Sequence, residues 1–151
     1  LKATLIRFAA TLLIFNYMHG SAALADFPPN MADPAARQTY IKTFSEKIKN
    51  APNDYESYVS RAYIYLHDDK LQESLADLNK ANELQTNNLY VLSMRGELFL
   101  ALRDYKSAIL DESAAIALKP QEAGLYSNRG LAFMLSGKLI EAQKDASRAL
   151  Q

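Results

Sequence analysis

Residues 89–122 read LYVLSMRGELFLALRDYKSAILDESAAIALKPQE. Sliding the chain against itself by 34 residues sets this stretch beside YESYVSRAYIYLHDDKLQESLADLNKANELQTNN at 55–88. The same shift aligns it with AGLYSNRGLAFMLSGKLIEAQKDASRALQ at 123–151. Arg61, Arg95 and Arg129 then share one column, and Asp77, Asp111 and Asp145 another. Ala81, Ala115 and Ala149 form a third. Small residues recur at Ala62/Gly96/Gly130 and Ser74/Ala108/Ala142, and aromatics at Tyr65/Phe99/Phe133. Large residues recur at Tyr58/Leu92/Tyr126 and Leu71/Tyr105/Leu139. So many matched columns at one period mark an internal repeat.

Each unit holds two runs whose apolar residues fall three and four apart, the period of an amphipathic helix. In 89–122 the runs are about 89–102 and 105–118, parted by Arg103-Asp104. Pro120 stops the second run, and Glu122 helps to open the next. In 123–151 the break is Ser136-Gly137, with Gly137 suited to a left-handed helix cap. One such helix pair cannot hide its apolar face alone, so the units must stack. The small columns let helices approach closely, and the aromatic columns fill the space between turns.

These columns resemble the tetratricopeptide repeat family. Its pattern has a bulky residue at position 4, a small one at 8, an aromatic at 11 and a bulky one at 17. Alanine or a small residue stands at 20 and 27, and proline at 32. Tyr58, Leu92 and Tyr126 take position 4, and Ala62, Gly96 and Gly130 take position 8. Pro120 takes position 32 of the middle unit, whereas Thr86 departs from it in the first. The resemblance covers 55–151 and implies an all-α fold, an α-solenoid of antiparallel helix pairs. Extending the register backwards puts Pro52 at position 32, with Tyr40, Phe44 and Ile48 at helical spacing before it. A helix at 34–50 is therefore expected to pack like the second half of a decayed repeat. The domain then comprises three units, 55–88, 89–122 and 123–151, plus this leading half.

Outside the repeats, residues 1–25 read as a targeting segment. Lys2 and Arg7 are basic, Phe8 to Phe15 is apolar, and Ala23-Leu24-Ala25 precedes Asp26 in the small-x-small pattern of signal peptidase sites. The apolar run is shorter than the ~20 residues that span a bilayer. A buried amphipathic helix and an uncleaved anchor are the alternatives to a cleaved signal. A signal directs the mature chain to the periplasm or outside the cell, with no stable membrane span after cleavage. Residues 26–33 form a linker, and Asp33-Pro34 suits a helix start. The absence of an initiator Met suggests a fragment or a start inside the reading frame.

Lys plus Arg equals Asp plus Glu at 17 each, which leaves no basic field for nucleic acid. No cysteine is present, which excludes disulfides, thiolate metal sites and cysteine nucleophiles. Arg61/Asp77, Arg95/Asp111 and Arg129/Asp145 each lie 16 residues apart, on the two helices of one hairpin. With no nucleophile or metal ligand beside them, they read as structural ion pairs rather than catalytic groups. His67, followed by Asp68-Asp69, is the one histidine after residue 25, and it reads as solvated turn surface. There is no phosphate loop, metal-binding helix or serine nucleophile motif. No catalytic residue, metal, cofactor or small-molecule substrate is therefore expected, and the chain does not read as an enzyme.

The resemblance implies a groove lined by the first helices through positions 2, 5, 6, 9, 12 and 13. By register the principal lining is Glu56, Val59, Ser60 and Tyr63 in the first unit. The second unit offers Tyr90, Ser93, Met94 and Glu97, and the third Ser127, Asn128 and Leu131. Chaperone adaptors of the family clamp a terminal carboxylate here with basic residues. These positions carry no Lys or Arg, so that clamp is not expected. The function implied is a scaffold that binds a protein or peptide. The alternative is an assembly module that forms a homodimer or a longer array through an uncapped C-terminal end, because Ala146, Ala149 and Leu150 have no following helix in the sequence.

Overall fold

The computed structural model describes residues 31–151. The signal segment expected at 1–25 and the linker residues 26–30 lie outside the described residues. Seven helices run through the rest: α1 (Pro34–Asn50), α2 (Tyr55–His67), α3 (Leu71–Leu84) and α4 (Leu89–Ala101), then α5 (Tyr105–Leu118), α6 (Ala123–Leu135) and α7 (Leu139–Ala149). No strand occurs among the described residues. The fold is an all-α solenoid of antiparallel helix pairs. It divides into two compact units, which split between Thr86 and Asn87.

In the unit before residue 87, α2 packs against both α1 and α3. Helix α1 starts where Asp33 caps it, its carboxylate accepting from the Ala35 amide at 2.9 Å, with Pro34 in the first turn. Arg37 then fastens α1 to the α2–α3 turn. Its Nε donates to Asp68 Oδ1, and Gln38 Nε2 donates to Asp68 Oδ2 at 3.0 Å. Phe44 from α1, Ile64 from α2 and Leu78 from α3 are the large buried side chains. Full burial of such a side chain contributes about 1.5–3 kcal/mol.

In the unit from residue 87 onward, α5 packs against α4 and α6, α6 against α7, and α4 touches α6 directly. Leu92, Ala115, Ile116 and Leu125 make one apolar cluster, and Leu100, Ala108 and Ala132 a second. Asn88 caps α4 by accepting from the Tyr90 and Val91 amides, and Asp104 caps α5 by accepting from the Ser107 amide. The three-residue turns inside the hairpins are equivalent. Their middle residues, Asp69, Arg103 and Gly137, all have left-handed φ, at 61°, 63° and 83°. Glycine adopts that conformation without strain, whereas a residue with a Cβ does not. No helix among the described residues is long and apolar enough to cross a membrane.

Candidate functional site

The Arg and Asp columns meet within each hairpin. Arg61 grips Asp77 through two bonds of 2.8 and 2.7 Å, Arg95 grips Asp111 at 2.6 and 2.8 Å, and Arg129 grips Asp145 at 2.8 Å twice. All three aspartates are buried. Aromatic columns flank the guanidinium: Arg61 lies over Tyr58 and Tyr65, and Arg129 over Tyr126 and Phe133, at 5.7–5.9 Å from the ring centres. The bonds to Asp77 and Asp145 hold the Arg61 and Arg129 pKa above the usual arginine value, with burial opposing them. The remaining nitrogen bonds to a serine on the preceding helix, Ser45 for Arg61 at 2.9 Å and Ser113 for Arg129 at 3.1 Å. Ser45 and Ser113 hold the same register position. Helix α1 thus presents to α2 what α5 presents to α6, the behaviour of a second repeat helix. Tyr58 and Tyr126 add a parallel match, donating to the Pro52 and Pro120 carbonyls. These groups are committed to one another, and the ladder is scaffold.

The first-helix face is more closed than its register suggests. Val59, Ser60, Tyr63, Met94 and Glu97 are buried, and they supply packing rather than a free contact surface. His67 also packs: it meets Tyr63 edge-on at 4.8 Å, and burial, then the nearby Arg37 charge, lowers its pKa. The expectation of solvated turn surface is corrected at that residue, because Tyr63 gives the imidazole an apolar neighbour. Glu56 and Ser127 are exposed, while Tyr90, Ser93, Asn128 and Leu131 are half-buried. Helix α6 keeps the most open stretch, since Met134 is 51% and Leu135 41% exposed.

Nearer the start of α6, Asn128 joins a polar group that the register alone does not bring together. Glu97 on α4, Glu112 on α5 and Asn128 on α6 converge. The Asn128 amide donates to Glu97 Oε1 at 3.3 Å and to Glu112 Oε1 at 3.1 Å. Glu97 Oε2 and Glu112 Oε2 are buried without a hydrogen-bond partner among the described residues. Burial pushes the Glu97 carboxyl up to about 8 against the pull of the Asn128 amide. Burial, followed by the Glu97 charge, pushes Glu112 up to about 9. Gly96 makes room for the group, because a Cβ there would stand 2.9 Å from Glu112 Oε1. Glu112 breaks its column, which holds Phe44 in α1, Leu78 in α3 and Ala146 in α7.

No protein-family model matches the chain. Among solved structures, a crystal structure of MamA superposes with a TM-score of 0.74 at 20% identity, covering 77% of this chain and 68% of that one. The first TPR of Spaghetti (RPAP3), solved with the HSP90 peptide SRMEEVD, superposes with a TM-score of 0.61 at 26% identity. That match covers 64% of this chain and 76% of the other. The TPR repeat-containing thioredoxin TDX of Arabidopsis thaliana is 27% identical over 118 residues, 78% of this chain. The described helices form a tetratricopeptide-repeat array. The chain spans 29% of the Arabidopsis protein's length.

Within this tetratricopeptide-repeat array, no group of three or more metal-ligating side chains gathers among the described residues. What the array offers chemically is an apolar and hydroxyl-bearing strip on α6, backed by two carboxyls and an amide. Such a strip can bind through buried area and hydrogen bonds.

Proposed function

We propose that this protein is a non-enzymatic interaction scaffold that holds a peptide or protein segment on the exposed face of α6. The exposure of Met134 and Leu135 beside Ser127, Asn128 and Leu131 carries the reading. Methionine gives adaptable apolar contact, and the exposed Ser127 hydroxyl, which donates to the Ala123 carbonyl, can still accept from a peptide amide. The RPAP3 domain supports the mode, as a protein of the same fold solved with a peptide. Its HSP90 peptide carries Glu-Glu and Asp. The register positions of α6 carry no Lys or Arg, which favours a partner of different chemistry. We place the scaffold in the periplasm or outside the cell because of the basic, apolar and Ala-Leu-Ala pattern over 1–25. N-terminal sequencing after cell fractionation checks it: a chain retained in the cytoplasm with residues 1–25 still attached contradicts that placement.

Capture from periplasmic extract tests the binding face. Ser127→Asp with Met134→Asp places charge at two exposed positions and is expected to abolish partner recovery while helicity stays unchanged. Undiminished recovery of every partner removes α6 as the binding face. A second reading, self-association through α7, is favoured by Leu139, Ile140 and Leu150, which are 66%, 70% and 90% exposed. Sedimentation across a concentration series separates the two, since a strict monomer excludes self-association.

A further inference from the structure

The Glu97–Asn128–Glu112 group joins three helices, and the scaffold ladder has no use for it. Two of its positions carry no carboxyl in the first repeat, where Tyr63 and Leu78 stand in place of Glu97 and Glu112. Carboxyls in such columns cost stability unless every oxygen is satisfied. Here one amide serves both groups, and each carboxyl keeps one buried oxygen without a partner among the described residues. Two negative charges cannot share that space cheaply, whereas two neutral acids can. We propose that Glu97, Asn128 and Glu112 form a proton-operated latch that holds α6 against α4 and α5 and so regulates the α6 face. Its functional consequence rests on reading α6 as the binding face; the latch itself does not.

The surrounding charges leave the latch undisturbed. Arg129 on α6 is the cation that favours an ionised Glu112, but it is bonded twice to Asp145 on α7. Asp111 on α5 opposes ionisation and is held by Arg95 on α4. Burial of both carboxyls, with the Asn128 bonds as a partial offset, therefore governs the group. Both carboxyls bind protons more tightly folded than unfolded. The latch is closed at low pH and loses its hold as pH climbs from the ordinary carboxylate range toward the raised folded values. Each linked proton changes the opening equilibrium by about tenfold per pH unit across that window.

Native-state hydrogen exchange of the full chain tests this without any partner, so its failure leaves the binding reading standing. After correction for intrinsic exchange, α6 amide protection is expected to fall roughly tenfold or more between pH 6 and pH 8. Protection of α3 amides should stay level over the same range. The double variant Glu97→Gln with Glu112→Gln should flatten the α6 response. Glu112→Leu, which restores the apolar type of Leu78, should remove the Glu112 share of the response and leave the smaller share of Glu97, whose carboxyl is raised by burial, and it serves if the double variant folds poorly. Carboxyl-carbon NMR supplies a direct reading of both glutamates. A parallel pH response in wild type and variants, or ordinary titration of both carboxyls near pH 4–5, overturns the latch.

Discussion

Hairpins α2–α3 and α4–α5 occupy the same 34-position frame and fill its interior differently. In the first, Tyr63 and Leu78 are buried at the positions where the second buries Glu97 and Glu112. Both keep the Arg–Asp grip, through Arg61–Asp77 and Arg95–Asp111. Both keep a buried small residue at position 8, Ala62 in one and Gly96 in the other. The frame is therefore set by the ladder and the small columns, and it tolerates an acid pair between them. That pair, not the frame, makes the α4–α6 region sensitive to protons.

The largest expected effect tests what the two regions share. Arg129→Ala removes both bonds to buried Asp145 and strands its charge. Breaking a fully buried pair costs about 3–5 kcal/mol. Arg129 keeps some solvent contact, so a loss of roughly 2–4 kcal/mol in urea unfolding is expected. Lys138→Ala, at an exposed site, should change stability by no more than about 0.5 kcal/mol. Equal losses for the two variants would remove the ladder from its structural role.

The smallest expected effect sharpens the comparison at the turns. Arg103 and Asp69 hold the left-handed conformation that Gly137 holds without strain. Arg103→Gly should therefore stabilise the α4–α5 hairpin by roughly 0.5–1 kcal/mol, the strain relieved exceeding the added freedom of the unfolded chain. Thermal unfolding checks the sign, and a lower melting temperature contradicts it.

The fold was legible because it rests on periodic features. Asp33-Pro34 marked the start of α1, Pro120 the end of α5, and the 16-residue Arg–Asp spacing the ladder. The site was legible only in part. Register assigns a residue to a helix face, but burial depends on what packs over that face. Tyr63, Met94 and Glu97 consequently read as groove and are interior. Glu112 escaped notice because a glutamate beside Asp111 on a helix reads as solvated surface. Its meaning emerges only when the column with Phe44 and Leu78 is compared, and when Asn128 from the next repeat reaches it. The left-handed turns at Asp69 and Arg103 were hidden for a related reason, since only the third unit spells that position with glycine.

The central claim, that one hairpin carries protonated acids where its counterpart carries Tyr63 and Leu78, is tested most directly by urea unfolding of wild type and Glu112→Leu at pH 5 and pH 8. Glu112 has its pKa raised by folding, so its contribution is most favourable at acidic pH and is lost as pH rises toward about 9. The account predicts that the variant gains on wild type as pH rises, reaching an advantage of about 1–4 kcal/mol at pH 8. An advantage that is the same at both pH values, or no advantage at either, would contradict it.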